Sequence, residues 1–434
     1  MGIHRRAVFA GAGASLAALA ASRAAAQPAP PAAPAPSLEE RLVARAVEHR
    51  HPLAFDGRAF SGPGWDLLVR EGRKAKFFML GEEHGLAENA ALAASLTETL
   101  APAGYRKLVV EISPPMAQEI DAALAAGGLA GLKRYYDRHQ TGVAFYTMRE
   151  EAEFLARARA ALPRGGKAIG EQAIWGLDYE VAGDRRLIAR LKDKPKPPAA
   201  RAPMTALSTA STAAWADFQA TRNPGKLFSF NGDPELVRRL RAAWPDPDPE
   251  SDWILDVLEG TLEANALWMA NRGWESNQRR AELMRANWTR YWNGLGREAR
   301  RTKALFKFGA SHLVRGRNMS EVMDMGSLIA ETAALSDETS FNIFVVGGAG
   351  ARRAQFNPAA WRYEEGPAGD AKGEGVELLA AQALPQGFTV IDLRPLRPLL
   401  PASRTRGADP RLVRVAHGFD ALVVMPNARA SANL

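Results

Sequence analysis

Short apolar runs recur along the chain at 76–81 (KFFMLG), 108–112, 174–177, 305–308, 341–346, 388–393 and 421–425. None alternates apolar with polar residues, as a strand with one wet face would. Continuous runs of this length are the mark of strands covered on both faces, typical of parallel sheets. Segments with helical spacing separate them: 38–48, which Ser37 is placed to cap, then 87–100, 116–126 and 148–161. Strand and helix therefore alternate. The pattern predicts an α/β fold, a mostly parallel central sheet flanked by helices.

Two polar, proline-rich segments, 192–203 and 244–250, interrupt the alternation and read as surface loops. A tryptophan-rich helical stretch then carries Trp253, Trp268, Trp274, Trp288 and Trp292. Residues 195–300 are expected to form a helical insertion or cap over the sheet, with these aromatic rings and Phe228 and Phe230 mainly in its core.

The N-terminus has a different character. Arg5 and Arg6 precede an apolar stretch, 7–22, that is too short to span a bilayer, and Ala24, Ala25 and Ala26 supply small residues for cleavage. The adjacent arginines resemble a twin-arginine export signal, with His4 at the position where Ser or Thr is usual. Residues 1–26 are expected to be a cleaved signal and 27–36 (QPAPPAAPAP) a stiff Pro/Ala linker. A single α/β domain over 37–434 follows, so the mature protein is expected to be periplasmic or secreted. No later segment predicts a stable membrane span. Of the formal charge of +8, three arginines belong to the first 26 residues, leaving a scattered +5 that does not suggest nucleic-acid binding. The chain of 434 residues has no cysteine, which excludes disulfides, thiol catalysis and iron–sulfur clusters.

The ionisable residues concentrate at strand ends. The first run leads into Gly81-Glu82-Glu83-His84-Gly85, the second into Glu111, the third into Leu177-Asp178-Tyr179-Glu180, and the fourth into Ala310-Ser311-His312. A parallel sheet places all these groups along one edge, outside the carboxyl ends of its strands, where ligands bind in open α/β folds. Buried acids gathered there must bond each other, a histidine, a metal or a substrate. No Gly-x-Ser-x-Gly elbow is present, and Gly347-Gly348-Ala349-Gly350 lacks the Lys-Ser/Thr of a phosphate loop and reads as a turn.

Together the Gly-Glu-x-His-Gly turn, the acid closing the second strand, the Gly-Leu-Asp strand end and the later His-bearing strand end resemble the erythromycin esterase, Tiki and ChaN superfamily. His51-Pro52-Leu53 with Trp65-Asp66-Leu67-Leu68, the spacing Arg280-x-x-x-Met284-x-x-Asn287, and Phe419-Asp420-Ala421-Leu422-Val423-Val424 with Pro426 are similar to the erythromycin esterase-like branch. Two features depart from that branch. One residue separates Glu82 from His84 where the esterases usually have two, a spacing more like ChaN and Tiki. Ser311-His312-Leu313 stands where the esterases often have a His-Asn pair.

The resemblance implies a hydrolase of ester, lactone or related acyl bonds acting on a small-molecule or peptide substrate. In that reading His84 is the base that activates water, Glu82 or Glu111 orients it, His312 polarises the carbonyl or protonates the leaving group, and Arg280 meets developing negative charge. Asp178, Tyr179 and Glu180 are candidate substrate-binding residues. A metal-dependent version would use Glu82, His84, Glu111, Asp178 and His312 as mixed oxygen and nitrogen ligands for zinc, manganese or iron. ChaN-like relatives bind haem, so a haem-binding protein with Tyr179 or a histidine on iron is the competing class. Among other histidines, His49 and His51 read as solvated surface near a helix end, His139 as part of a polar loop with the pocket rim as its alternative place, and His417 as structural.

Overall fold

The computed structural model describes residues 35–139, 143–166, 170–296, 302–401 and 407–434. The expected export signal and all but the last two residues of the expected linker lie outside the described residues. Strands β1 (Arg50–Phe55), β2 (Phe60–Ser61), β3 (Phe77–Glu82), β4 (Tyr105–Val110), β5 (Ile174–Gly176), β6 (Lys303–Gly309), β7 (Ser340–Gly347), β10 (Phe388–Asp392) and β11 (Ala421–Met425) form one sheet. Their order is β2-β1-β10-β11-β7-β3-β6-β4-β5. From β11 to β5 every neighbouring pair is parallel. Every residue of β3 and β11 is buried, as are all but the first of β6 and β7, which is why these runs carry no polar alternation.

The other edge differs from the sequence reading. The run at 388–393 lies antiparallel to β11, and β1 and β2 extend the sheet antiparallel beyond it. Polar residues and Pro52 hide β1 in the sequence, and they are tolerated because the strand lies near the sheet edge, where proline's missing N–H costs least. His51 consequently sits half-buried in a strand. His139 closes the second of two helical segments within Pro114–His139, which meet in a kink at Gly127 and Gly128, rather than lying in a loop. The helix Arg201–Thr221 begins inside the expected loop 192–203, and Trp244 at the start of 244–250 is buried.

Among the described residues between β5 and β6 the longest helices are Arg201–Thr221, Pro249–Met269 and Gly273–Gly294. Trp253 and Trp288 pack in the main core as expected, whereas Trp268 and Trp274 are exposed. After β7 comes a hairpin of β8 (Arg352–Asn357) and β9 (Arg362–Pro367). Trp361 at its tip packs against Trp215 and Phe218, with ring centroids 5.5 and 5.1 Å away. Its root fits against the turn after β3: Ala354 N donates to Gly85 O at 2.9 Å.

Gly85 has φ of 86°, and a Cβ built there would lie 2.2 Å from Ala354 O. Gly85→Ala is expected to cost at least ~2 kcal/mol through combined strain and overlap. Gly316 also has positive φ but open space around it, so Gly316→Ala should cost only about 1 kcal/mol. Equal denaturant midpoints for the two variants would contradict the close approach of the hairpin.

Candidate active site

Register decides which side chains meet. Glu82 pairs with Gly309 across β3 and β6, while Val110 of β4 pairs with Lys307 of β6 and with Gly176 of β5. The residues leaving these parallel strands, His84, Glu111, Asp178 and His312, therefore emerge side by side. Gly309 makes room: a Cβ on it would stand 2.7 Å from His84 Nε2 and 3.5 Å from Glu111 Oε2. Arg280 reaches in from the helix Gly273–Gly294. Asn287 of that helix donates to Leu177 O at 2.7 Å and accepts from Trp253 Nε1 at 2.7 Å, fastening the helix beside Asp178. That contact accounts physically for the Arg/Met/Asn spacing. A cavity of about 500 Å³ is lined by Glu82, His84, Glu111, Asp178, Tyr179, Glu180, Arg280 and His312, so the sequence-predicted residues share one site.

Acids and cations alternate through it. Glu151 accepts from Lys307 Nζ with both oxygens at 2.8 Å, and Lys307 also pairs with Glu82 at 2.6 Å. Glu82 Oε1 lies 2.9 Å from His84 Nδ1, and its other oxygen accepts from Asn89 Nδ2. His84 Nε2 faces Glu111 Oε2 at 3.5 Å. Glu111 also accepts from Gly309 N at 2.6 Å and Arg280 Nη2 at 2.9 Å, and faces His312 Nε2 at 3.4 Å. Two branches end the chain: Arg280 on Asp178, with Nε to Oδ1 at 2.9 Å, and His312 Nδ1 on Asp324 at 2.7 Å.

These contacts set the protonation states. Burial opposes charge on His312, as does Arg280, yet Asp324 and Glu111 push it up to about 10. Burial would lift Glu111, but His312, His84 and Arg280 outweigh it and hold the carboxyl well below the usual range. Burial also works against a charged His84, and Glu111 and Glu82 together still raise the ring above 6.5. Glu82 is lowered because Lys307 and His84 overcome its burial. Glu151, deeper still, is pushed up to about 7 by burial despite Lys307.

Glu180 lines the cavity, but its oxygens accept from Ser113 Oγ at 2.6 Å and from the Ala182 and Gly183 amides at 3.2 and 2.8 Å. It holds the turn after β5. Glu83 turns the other way, accepting from Gly347 N at 2.9 Å and Gly369 N at 2.6 Å, so the residue between Glu82 and His84 anchors the hairpin side. His139 is not among the residues lining this cavity.

Sequence reasoning missed Lys307, Glu151, Asp324 and Phe145. A lysine inside the run 305–308 was itself a signal, since a buried cation needs an acid. Phe145 stacks on His84 with centroids 3.8 Å apart and an interplanar angle of 10°. It adopts φ of 66°, a costly conformation for an aromatic residue, held by Tyr363 Oη, which accepts from Phe145 N at 2.7 Å. Nothing in its sequence context announces this.

The donor set does not fit a divalent ion. Its carboxylates already face Lys307 and Arg280, and among the described residues no three His, Asp or Glu groups are arranged to hold a metal. Tyr179 is a poor match for haem iron as well: the Arg280 guanidinium lies 4.5 Å over its ring, and burial raises its hydroxyl, away from the phenolate that iron requires.

No protein-family model and no curated protein matches the chain. Three solved structures share its fold. A Bacillus cereus protein aligns over 92% of this chain and 100% of its own, with TM-score 0.57 and 15% identity. Erythromycin esterase EreC, a mutant in its open conformation, aligns over 89% and 99%, with TM-score 0.59 and 14% identity. A succinoglycan biosynthesis protein aligns over 92% and 100%, with TM-score 0.54 and 13% identity. The chain thus has the erythromycin esterase-like fold that its motifs suggested. Identities of this order establish a fold and leave branch and activity to other observations.

Lys307→Met leaves Glu82 and Glu151 buried around an apolar side chain, and removing one partner of a buried pair costs about 3–5 kcal/mol. Adding Glu151→Gln should recover part of that loss, because Glu82 keeps Asn89 and His84 as partners. Chemical denaturation of both variants checks this. A single variant as stable as the parent would show that the lysine does not neutralise these acids.

Proposed function

We propose that the chain is an exported hydrolase of the erythromycin esterase-like type, in which His84 activates water to cleave an ester, lactone or related acyl bond. The observation that carries this reading is the placement of His84: Nδ1 rests on Glu82 and Nε2 opens toward the cavity beside Glu111 and His312. With Nδ1–H donated to Glu82, the lone pair is on Nε2, as a general base requires. Phe145 fixes the ring plane by stacking.

In this mechanism His84 Nε2 takes a proton from water as the oxygen adds to the acyl carbon. The carbonyl π electrons move to oxygen, where Arg280 and the imidazolium of His312 meet the negative charge. Collapse breaks the bond to the leaving alkoxide, which takes the proton held on His84 and restores the neutral base. His312, charged over the working range, acts as an electrostatic donor rather than a second base. Ile112, Val143, Phe145 and Met319 line the same cavity and favour a substrate with an apolar body. The domain arrangement we propose is a signal at 1–26, a linker at 27–36 and a catalytic domain at 37–434 in which 195–300 forms the cap. Arg5, Arg6 and the alanines at 24–26 support export to the periplasm or beyond. No helix among the described residues is long and apolar enough to cross a membrane.

A screen of acyl esters and lactones, with and without chelator, tests the reading. On whichever substrate responds, His84→Asn should lose about 10²–10⁴-fold in kcat/KM while remaining folded. Activity should survive the chelator and fall as pH drops through a midpoint above 6.5, since the base must be neutral and its carboxylate neighbours raise it. Glu111→Gln removes one of those raising influences and should move the midpoint down. Parent-like turnover by His84→Asn, or activity lost to chelator and restored by a divalent ion, would overturn the proposal.

A further inference from the structure

The helices Pro249–Met269 and Gly273–Gly294 meet in a tight turn whose tip is apolar and uncovered. Trp268 is 56% exposed, Met269 52% and Trp274 54%, whereas Trp253 and Trp288 of the same helices are buried. The exposed groups cluster about this one turn. The Trp268 ring lies against Gly273, 3.8 Å from where a Cβ would stand, beside Trp274, and the Met269 methyl reaches the turn at Gly225, 3.6 Å from the same construction. Single exposed apolar side chains are ordinary, but two indoles and a thioether concentrated at one turn form a patch that points to a partner.

Charge identifies the partner. Arg222 and Lys226 are exposed on the turn that Met269 touches, and Arg272 stands at the tip itself. Within 221–226 and 270–275 the only acid is Glu275, which pairs with Arg272 at 3.1 Å. The fringe is therefore positive. Indole rings ringed by Arg and Lys match the boundary of an anionic bilayer, where the rings enter the headgroup layer and the cations meet lipid phosphates. A second copy of the chain fits less well, since a two-fold contact through this tip would oppose cation to cation with no acid between them.

We propose that this tip seats on the surface of an anionic lipid bilayer, Trp268, Met269 and Trp274 entering the headgroup boundary and Arg222 and Lys226 facing phosphate. Trp274 and Arg280 share one helix, about 9 Å apart along its axis, so seating the tip brings the helix that carries Arg280 to the membrane.

The test is co-sedimentation of the full chain with vesicles of phosphatidylglycerol and phosphatidylcholine, and with phosphatidylcholine alone. Binding should require phosphatidylglycerol and weaken with salt. Trp268→Ser with Trp274→Ser, and separately Arg222→Gln with Lys226→Gln, should each reduce it roughly 10-fold or more while keeping a parent-like unfolding midpoint. The two pairs are independent, so a folding failure in one leaves the other decisive. Any attachment through the N-terminal apolar stretch would not respond to either pair. Absence of phosphatidylglycerol-dependent binding, or binding unchanged in both pairs, would overturn the proposal. So would an oligomer of the parent that the tryptophan pair dissociates while vesicle binding stays intact.

Discussion

Carboxylates buried at the end of a sheet are tolerable only where cations face them, and that constraint shapes the site. Glu151, Glu82, Glu111, Asp178 and Asp324 are buried there, and Lys307, His84, Arg280 and His312 stand between them. Isolated ions in such surroundings would lose several kcal/mol of hydration each. Alternation lets every charge compensate its neighbours, and it gives the two histidines different characters. His312 lies between Asp324 and Glu111, which push it up to about 10, whereas His84 is raised above its ordinary value by Glu111 and Glu82. In the mechanism we propose, one network separates an electrostatic donor from a proton acceptor, as acid–base chemistry requires of paired groups.

The fold serves this network by direction and by gaps. Parallel β3, β4, β5 and β6 deliver their final residues to one edge, and the missing side chain of Gly309 leaves the space in which His84 approaches Glu111. The helical block contributes Arg280, and Asn287 holds that contribution in register through Leu177 O. On the far side Glu83 gathers the amides of Gly347, Gly369 and Asp370, tying the hairpin to the His84 turn. Adjacent residues of one strand end therefore do opposite work: Glu82 faces the cavity and Glu83 secures its wall.

Much of this was legible in the sequence because apolar runs reveal buried parallel strands, and a polar residue directly after such a run must lie at the strand's exit. Glu82, His84, Glu111, Asp178 and His312 were found that way. The antiparallel edge was not, because β1 contains Pro52 and polar residues and owes its strand conformation to pairing with β10. Lys307 was overlooked because it sits inside a run that otherwise reads as core, and its partner Glu151 lies on a helix distant in sequence. Phe145 and Asp324 act through tertiary contact with the histidines, which local pattern does not carry. Trp268 and Trp274 share the composition of their buried neighbours. Only the packing of the two helices shows that nothing among the described residues covers them.

The charge alternation is tested most directly by following the histidine rings themselves. NMR titration of the imidazole signals, assigned by their disappearance in His84→Asn and His312→Gln, reads each protonation state without reference to any substrate. The account predicts that His312 stays charged until pH reaches about 10, and that His84 titrates separately, above 6.5. A His312 ring that loses its proton near 6.5, together with His84, would mean that Asp324 and Glu111 do not hold it charged and that the site is not organised by alternating ions.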